Sequence, residues 1–313
     1  KQVNFSWFKS HKITSILLFI VMLFIGIMGS NSMIASWALK SWLKDHASDV
    51  ELGDLKLSLW HSELDIKGLK ASNQQDDKLV IGSLKIDWEW TDIWRREFTI
   101  TSVDIEGVKL NIKGRNFNPE FIGPIDLSTL LATEQVAEDT EQSSKAWKFN
   151  LGSISLADST ICYQDSELNF TTLGIPITNN AQKIDLCSSW NALNSDSKFI
   201  YSLAEGINFS GNIKLQKFKL VDGEANSLLK VREFVVSELS AHSQAATLQQ
   251  ISIGDIQLLA QQKEDIFADS GVSLGQLLIN DISWDNTTAN THIASIISEQ
   301  LFVKLRAFNN KIQ

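Results

Sequence analysis

The segment "VDIEGVKL", Val103 to Leu110, alternates apolar and polar residues, omits one step at Glu106-Gly107, and then resumes the alternation. The same pattern returns in unrelated residues in "LDIKGLKA" (Leu64 to Ala71), "IKLQKFKL" (Ile213 to Leu220), "ISIGDIQL" (Ile251 to Leu258) and "LLINDISW" (Leu277 to Trp284). A period of two places every second side chain on one face of a β-strand. The pattern therefore predicts strands with one apolar face.

The omitted step can be a two-residue hairpin or a β-bulge, because both devices keep the apolar side chains on one surface. Gln216-Lys217 is a poor tight turn and favours the bulge or a bend. Four other dipeptides fit either device: Lys67-Gly68, Glu106-Gly107, Gly254-Asp255 and Asn280-Asp281.

Composition supports an all-β body. The chain has 313 residues with 43% hydrophobic content and three prolines, and its short apolar stretches are separated by polar turn-forming residues. We expect about a dozen strands in a curved, mostly antiparallel sheet. The net charge of -9 argues against a nucleic-acid partner and against adhesion to anionic lipid by charge alone.

The first apolar run, "ITSILLFIVMLFIGIMG", extends from Ile13 to Gly29. Its length predicts a transmembrane helix over residues 13–34, with residues 1–12 cytoplasmic. The alternative is a cleaved signal peptide, but the run is longer than the apolar core of such peptides and its small-residue sites are poor cleavage signals. Residues 35–49 are then an interfacial helix, with Trp37 and Trp42 at headgroup depth, or a connection into the following domain.

The rest of the chain divides by composition. We expect one β segment at residues 50–117, an acidic linker with a short helix at residues 118–147, and a second β segment at residues 148–290. An amphipathic C-terminal helix at residues 291–313 is predicted by the helical spacing of Ile293, Ile296, Ile297, Leu301, Leu305 and Phe308. The apolar face can pack against a second sheet in a closed sandwich, lie under helices, or line an open trough.

A resemblance favours the open trough. The segments "VELGDLKLSLWHSELDIKGLKASN", "IGSLKIDWEWTDIWRREFTITSVDIEGVKLNIKG" and "NFNPEFIGPIDLSTLLA", after an N-terminal anchor, resemble the opening of the AsmA-like family. The likeness covers roughly Ile13 to Asp165. These proteins are anchored in the inner membrane, are related to TamB-type lipid transfer proteins, and have long periplasmic β-grooves that shield lipid acyl chains.

The resemblance implies a lipid partner, the inner membrane as location, and most of the chain in the periplasm. It also implies a groove lined by apolar residues: Leu64, Ile66, Val103, Ile105, Ile154, Leu156, Ile251, Ile253, Leu277 and Ile279. A dozen strands at ~4.8 Å make a groove of only about 60 Å. Bridging an envelope would then require an oligomer, envelope protein partners or further chain.

The sequence contains few residues in patterns typical of catalytic or metal-binding sites. Its five histidines are scattered, and it has no nucleophile elbow, phosphate-binding loop or dinucleotide fingerprint. "HSELD", His61 to Asp65, fits a solvated strand face better than a metal site. We therefore predict no catalytic residue, metal or cofactor. Cys162 and Cys187 could form a disulfide in an oxidising periplasm, or Cys162 could be a buried free thiol.

Three functions remain open. The first is a membrane-anchored groove that binds lipid, in phospholipid transport or outer-membrane biogenesis. The second is an assembly subunit whose apolar face docks a partner protein. The third is an envelope enzyme, which the lack of an acid, base or nucleophile constellation disfavours.

Overall fold

The computed structural model describes residues 31–73, 77–90, 93–128, 147–169, 183–202, 206–223, 225–260, 270–285, 287–288, 290–303, 307–308 and 311–312. Residues 31–44 form a helix, α1, and Ile93–Arg95 form one 3-10 turn. The remaining described elements are the strands β1 (Asp49–Ser58), β2 (Glu63–Ser72), β3 (Lys78–Glu89), β4 (Glu97–Glu106), β5 (Lys109–Arg115), β6 (Asn118–Ile122), β7 (Ile125–Asp126), β8 (Lys148–Asn169), β9 (Lys183–Ser202), β10 (Gly206–Asp222), β11 (Ser227–His242), β12 (Ala245–Ala260), β13 (Ser270–Asp285), β14 (Asn290–Val303), β15 (Ala307–Phe308) and β16 (Lys311–Ile312).

Fourteen strands, β1 to β14, belong to one mixed sheet. Strands β1 to β4 and strands β8 to β14 are two antiparallel meanders. They are joined in parallel, because β8 runs alongside β4 and then alongside β5. The predicted all-β body is confirmed, whereas the parallel junction has no counterpart in the sequence pattern.

The omitted steps of the sequence pattern lie within strands. Lys67-Gly68 is inside β2, Gln216-Lys217 inside β10, Gly254-Asp255 inside β12 and Asn280-Asp281 inside β13. Glu106-Gly107 separates β4 from β5, but both of these strands pair with β3 and with β8 and so continue one another. The hairpin alternative is therefore wrong at all of these positions, and each is a bulge or a bend.

Helix α1 covers one face of the first strands. Its Leu43 is only 2% exposed, and Leu43 and Ala47 pack with the buried apolar side chains of β1 and β2: Leu52, Leu55, Ile66, Leu69 and Ala71. Ser32, at the other end of α1, accepts a hydrogen bond through Oγ from the backbone N–H of Leu57 at 2.9 Å. The helix therefore runs antiparallel to β1 and closes a small core between itself and β1 to β3.

The predicted C-terminal helix is wrong. Residues 290–303 form β14, which pairs antiparallel with β13 at the edge of the sheet. The helical interpretation failed because a bend in a strand also places residues three apart on one face. Ile293 and Ile296 lie opposite Ile282 and Ile279, on either side of Asp281 with its positive φ of 51°, and Leu301 follows Gln300 with its positive φ of 57°. Thr291, Ile293, Ile296 and Ile297 are β-branched, which favours the strand.

Other expectations fall partly outside the described residues. Asn118–Ile122 and Ile125–Asp126 form a hairpin, so the segment predicted as a linker begins with two strands rather than a loop. The short helix predicted in this segment, residues 126–139, lies mostly outside the described part, because residues 129–146 are not described. Residues 1–30 of the predicted cytoplasmic N-terminus and transmembrane helix also lie outside it. Among the residues that are described, no helix has the length and hydropathy needed to cross a bilayer.

Candidate functional site

The apolar face of the sheet carries rows of side chains that run from β1 to β14. Residues opposite each other in neighbouring strands point to the same face, so the strand register identifies each row. The first row consists of Leu55, Ile66, Leu84, Ile105, Leu156, Leu193, Leu215, Phe234, Ile253, Leu277 and Ser298. The second row consists of Leu57, Leu64, Ile86, Val103, Ile154, Ser195, Ile213, Val236, Ile251, Ile279 and Ile296.

A third row lies on the other side of the bulges. It consists of Val50, Ala71, Leu79, Leu110, Ile161, Ser188, Leu220, Leu229, Leu258, Val272 and Val303. In β2 the first and third rows share a face, because Ile66 and Ala71 belong to the same buried cluster beneath α1. The three rows are the candidate site, and we refer to them as the apolar face.

Residues with positive φ separate the first row from the third. These residues are Gly68 in β2, Gly107 between β4 and β5, Asp158 in β8, Lys217 in β10, Asp255 in β12 and Gln300 in β14. A bulge bends its strand and restores the side-chain phase. Because these bulges lie at the same level in their strands, they form a line across the sheet with apolar side chains on both sides.

The structure brings together all the lining residues predicted from the sequence. Leu64, Val103, Ile154, Ile251 and Ile279 fall in the second row. Ile66, Ile105, Leu156, Ile253 and Leu277 fall in the first. The rows also contain residues of β9 to β11 that we did not predict, among them Leu193, Leu215 and Phe234. The alternation of apolar and polar residues places these side chains on an apolar strand face. It does not say which strands are neighbours, so their place in the rows could not be predicted from one sequence.

The apolar face has little cover beyond the first strands. Among the described residues, α1 packs on β1 to β3, and only two large apolar side chains of β8 to β14 are buried, Ile184 and Val236. The other row residues of β8 to β13, such as Ile253 on β12, are half-buried or exposed, and Ile105 on β4 is also half-buried. No second sheet of comparable size packs against this face within the described part of the chain, where the only other sheet is the pair β15–β16.

The opposite face is polar over most of its width. Between the first and second rows it carries Lys56, Asp65, Lys85, Asp104, Ser155, Asn194 and Lys214. Ion pairs such as Lys85 to Asp87 at 3.2 Å and Lys214 to Glu233 at 2.6 Å lie in solvent on this side. The sheet is therefore amphipathic, with one apolar and one hydrated face.

A buried carboxylate lies at the far ends of β5 and β8. Asp165 accepts hydrogen bonds from the backbone N–H groups of Phe117, Glu167 and Leu168 at 2.8 to 3.0 Å and from Tyr163 Oη at 2.7 Å. Burial alone would raise the pKa of Asp165, but these donors hold it well below its usual range. Burial and the Asp165 carboxylate together raise the pKa of Tyr163 to about 12.

A cavity of about 410 Å³ adjoins this carboxylate, lined by Lys113, Phe121, Gln164, Asp165 and Asp185 among others. The donors around Asp165 are backbone groups and one tyrosine, which suits a structural clamp rather than a catalytic centre. Within the described residues, no group of three His, Cys, Asp or Glu side chains could hold a metal ion. His61 hydrogen-bonds with Ser58 Oγ at 2.8 Å in an exposed turn.

The remaining predicted residues lie away from the rows. Cys162 and Cys187 face each other on β8 and β9 and form a disulfide, with their Cα atoms 4.0 Å apart. Trp37 and Trp42 lie on α1 with 71% and 43% of their surface exposed, away from the buried core. Their position at a bilayer surface stays a prediction.

A scan against protein-family models and a search of curated proteins find no match to this chain. The resemblance to the AsmA-like family therefore stays a prediction based on the residues quoted above.

Proposed function

We propose that the chain is a membrane-anchored periplasmic protein whose apolar face forms a groove that binds and shields lipid acyl chains. The observation that carries the proposal is the set of three mainly apolar rows on a face that, among the described residues, only α1 covers, at β1 to β3. Such a protein would act in phospholipid transport between membranes or in outer-membrane biogenesis, as the family resemblance implies.

The energetics favour a lipid ligand. Each acyl CH₂ group transferred from water to an apolar surface contributes about 0.8 kcal/mol, so one shielded chain stabilises a bound lipid by ~10 kcal/mol. A groove of this kind needs no specific polar site, because acyl chains have no hydrogen-bonding groups. Eleven strand positions at ~4.8 Å give a groove of about 50 Å, so a partner or oligomer is needed to bridge an envelope.

An assembly subunit is the second candidate, and β14 supports it. Six large apolar side chains of this edge strand are exposed, Ile293, Ile296, Ile297, Leu301, Phe302 and Val303. An unpaired apolar edge is a template for another strand. A partner protein could then cover the apolar face instead of lipid.

Site-specific photocrosslinking in the intact, membrane-bound chain separates the two candidates. A photoreactive p-benzoylphenylalanine replaces Ile253 or Leu156 on the apolar face, and replaces their neighbours Ser252 or Ser155 on the polar face as matched controls. We expect lipid adducts, identified by mass spectrometry, at Ile253 and Leu156 only. Protein adducts without lipid at these two positions would support the assembly subunit and contradict the groove.

A charge substitution tests whether the face is open. Ile253→Asp and Ile105→Asp should abolish lipid crosslinking while circular dichroism shows a retained fold, because a carboxylate in an open groove stays hydrated. Ile66→Asp is the contrast, because Ile66 is 5% exposed beneath α1 and its substitution buries an unpaired charge. Unfolding of all three variants would indicate a closed core in the intact protein.

A further inference from the structure

Three exposed tryptophans cluster on the first two turns of the sheet. Trp60 lies in the turn between β1 and β2, and Trp90 and Trp94 lie in the connection between β3 and β4. Their exposed fractions are 77%, 41% and 91%. Trp90 donates a hydrogen bond through Nε1 to the carbonyl oxygen of Leu59 at 2.9 Å, which ties the two turns together. We call these three residues the tryptophan tips.

The apolar rows do not account for the tryptophan tips. The tips lie at the ends of β1 to β4, beyond the second row at Leu57 and Ile86, and they project from turns rather than from the sheet face. A large aromatic surface in water is unfavourable, whereas the boundary between water and hydrocarbon accommodates both the ring and the N–H of an indole.

The position of α1 relates the tips to the bilayer. Ser32, near the start of α1, hydrogen-bonds to Leu57 on β1, and the chain immediately before it is the apolar run that ends at Gly29. Three residues cover at most about 10 Å when extended and about 4.5 Å in a helix. Trp60 follows Leu57 by three residues toward the same end, which is also about 10 Å or less. Chain length therefore keeps the end of the apolar run within about 10 Å of Ser32, and Trp60 within about 10 Å of Leu57, to which Ser32 is hydrogen-bonded.

We propose that the tryptophan tips insert into the headgroup layer of the bilayer in which the run Ile13 to Gly29 is embedded. The inference rests on the membrane anchor of the proposed function and adds a second contact with the lipid surface. The exposed cations Arg95 and Arg96 follow Trp94 directly and match the charge of lipid phosphates. Of the row residues of β4, Val103 is then nearer to the membrane than Ile105, because Val103 lies opposite Ile86 and Ile105 lies opposite Leu84, two residues further from the tips.

Fluorescence quenching in the full-length chain tests this contact. Trp60→Cys and Trp94→Cys are labelled with an environment-sensitive thiol probe under non-reducing conditions, where the bonded Cys162 and Cys187 do not react. The matched control is Lys230→Cys, because Lys230 is exposed on the polar face of β11 and lies six residues, or about 20 Å, from Val236 of the second row on the side away from the tips. Each protein is reconstituted in phosphatidylcholine vesicles that contain phosphatidylcholine spin-labelled near the top of its acyl chain.

We expect probes at positions 60 and 94 to emit at shorter wavelength and to be quenched several-fold more than the probe at position 230. Probes at 60 and 94 that resemble the control would overturn the proposal and point to water or a protein at the tips. If a cysteine variant loses its fold by circular dichroism, the probe moves to the neighbouring positions His61→Cys or Arg95→Cys, for which the same outcomes apply.

Photocrosslinking at Ile253 in the same vesicles tests the lipid-binding groove independently of the membrane contact of the tips. Lipid adducts at Ile253 with unquenched tips refute the membrane contact alone. Quenched tips without lipid adducts support the contact and refute the groove.

Discussion

Asp165 is an acid whose ionised form the fold requires. The carboxylate is 2% exposed, and its donors come from the turn after β5 and from the end of β8 itself. It therefore fixes a turn that contains two residues with positive φ, Asn116 and Phe117, against β8.

Removal of the Asp165 charge should lower the unfolding free energy by an amount that depends on pH. Because the pKa of Asp165 is lowered in the fold, the carboxylate contributes stability above the ordinary carboxyl pKa of about 3.9, and that stability is lost as the pH falls below this value. Asp165→Asn presents an amide N–H to backbone donors and should lower the unfolding free energy by about 1 to 3 kcal/mol at neutral pH. The difference from wild type should shrink below about pH 4 in denaturant titrations. Asp54→Asn, at an exposed ion pair with Lys56, is the control and should have little effect.

Two glycines give a second prediction at the residue scale. A Cβ atom at Gly152 in β8 would collide with the backbone carbonyl of Thr101 on β4, where the parallel strands meet. At Gly254 in β12 the nearest atom, Arg232 Nη2, would be 3.6 Å from an added Cβ, which is ordinary contact. We expect Gly152→Ala to destabilise the protein by about 1 to 3 kcal/mol and Gly254→Ala to change stability by less than about 1 kcal/mol in either direction. Equal melting temperatures for the two variants would contradict the close approach of β8 to β4.

At the scale of single elements, the two edges of the sheet differ. The edge strand β1 carries the exposed charges Asp49, Glu51, Asp54 and Lys56, and α1 covers its apolar face. The edge strand β14 has one acid, Glu299, and exposes apolar side chains on both of its faces. Charges on an edge strand discourage pairing with another chain, so β1 is protected and β14 is not.

Self-association through β14 is therefore expected and can be reduced by charge. The double substitution of Ile297→Lys and Phe302→Lys acts on the face opposite the rows and should lower the oligomeric and aggregated fraction in analytical ultracentrifugation. Lipid crosslinking at Ile253 should persist, because the apolar face is unchanged. Ser252→Lys adds a similar charge on the same face away from the edge and should leave association unaltered. An unchanged sedimentation profile of the double variant would exclude β14 as the associating edge.

At the scale of the whole molecule, each strand beyond β8 contacts mainly its two neighbours. Described residues beyond β8 contribute few buried side chains, whereas the best-buried core lies between α1 and β1 to β3. Architectures with nearest-neighbour contacts open locally and do not unfold in a single step.

Hydrogen exchange should therefore show a gradient along the sheet. Backbone amides of β2 and β3 should exchange most slowly, and those of β13 and β14 fastest, in mass spectrometry of the intact protein. The disulfide between Cys162 and Cys187 should slow exchange in β8 and β9, and reduction should remove that effect. Uniform protection from β2 to β14 would indicate that a second layer covers the apolar face.

Much of this organisation is present in the sequence because strand faces depend on local alternation. A period of two, interrupted at Glu106-Gly107 or Gly254-Asp255, predicts a strand with one apolar face without knowledge of its partner. The ten predicted lining residues fall in two rows for the same reason. Alternation does not identify which strands are neighbours, however. The alignment of these residues into rows across the whole sheet was therefore not predictable.

Only the tertiary structure decided three features, each of which depends on contacts distant in sequence. The spacing of Ile293, Ile296 and Leu301 fits a helix and a bulged strand equally, and the free edge of β13 settles the choice by offering backbone hydrogen-bond partners. The parallel position of β8 beside β4 and β5 follows a long connection, and its sequence, an acidic linker with a predicted short helix, does not indicate which strands it places side by side. The tryptophan tips combine residues of two separate turns, so their proximity is a property of strand pairing and not of local sequence.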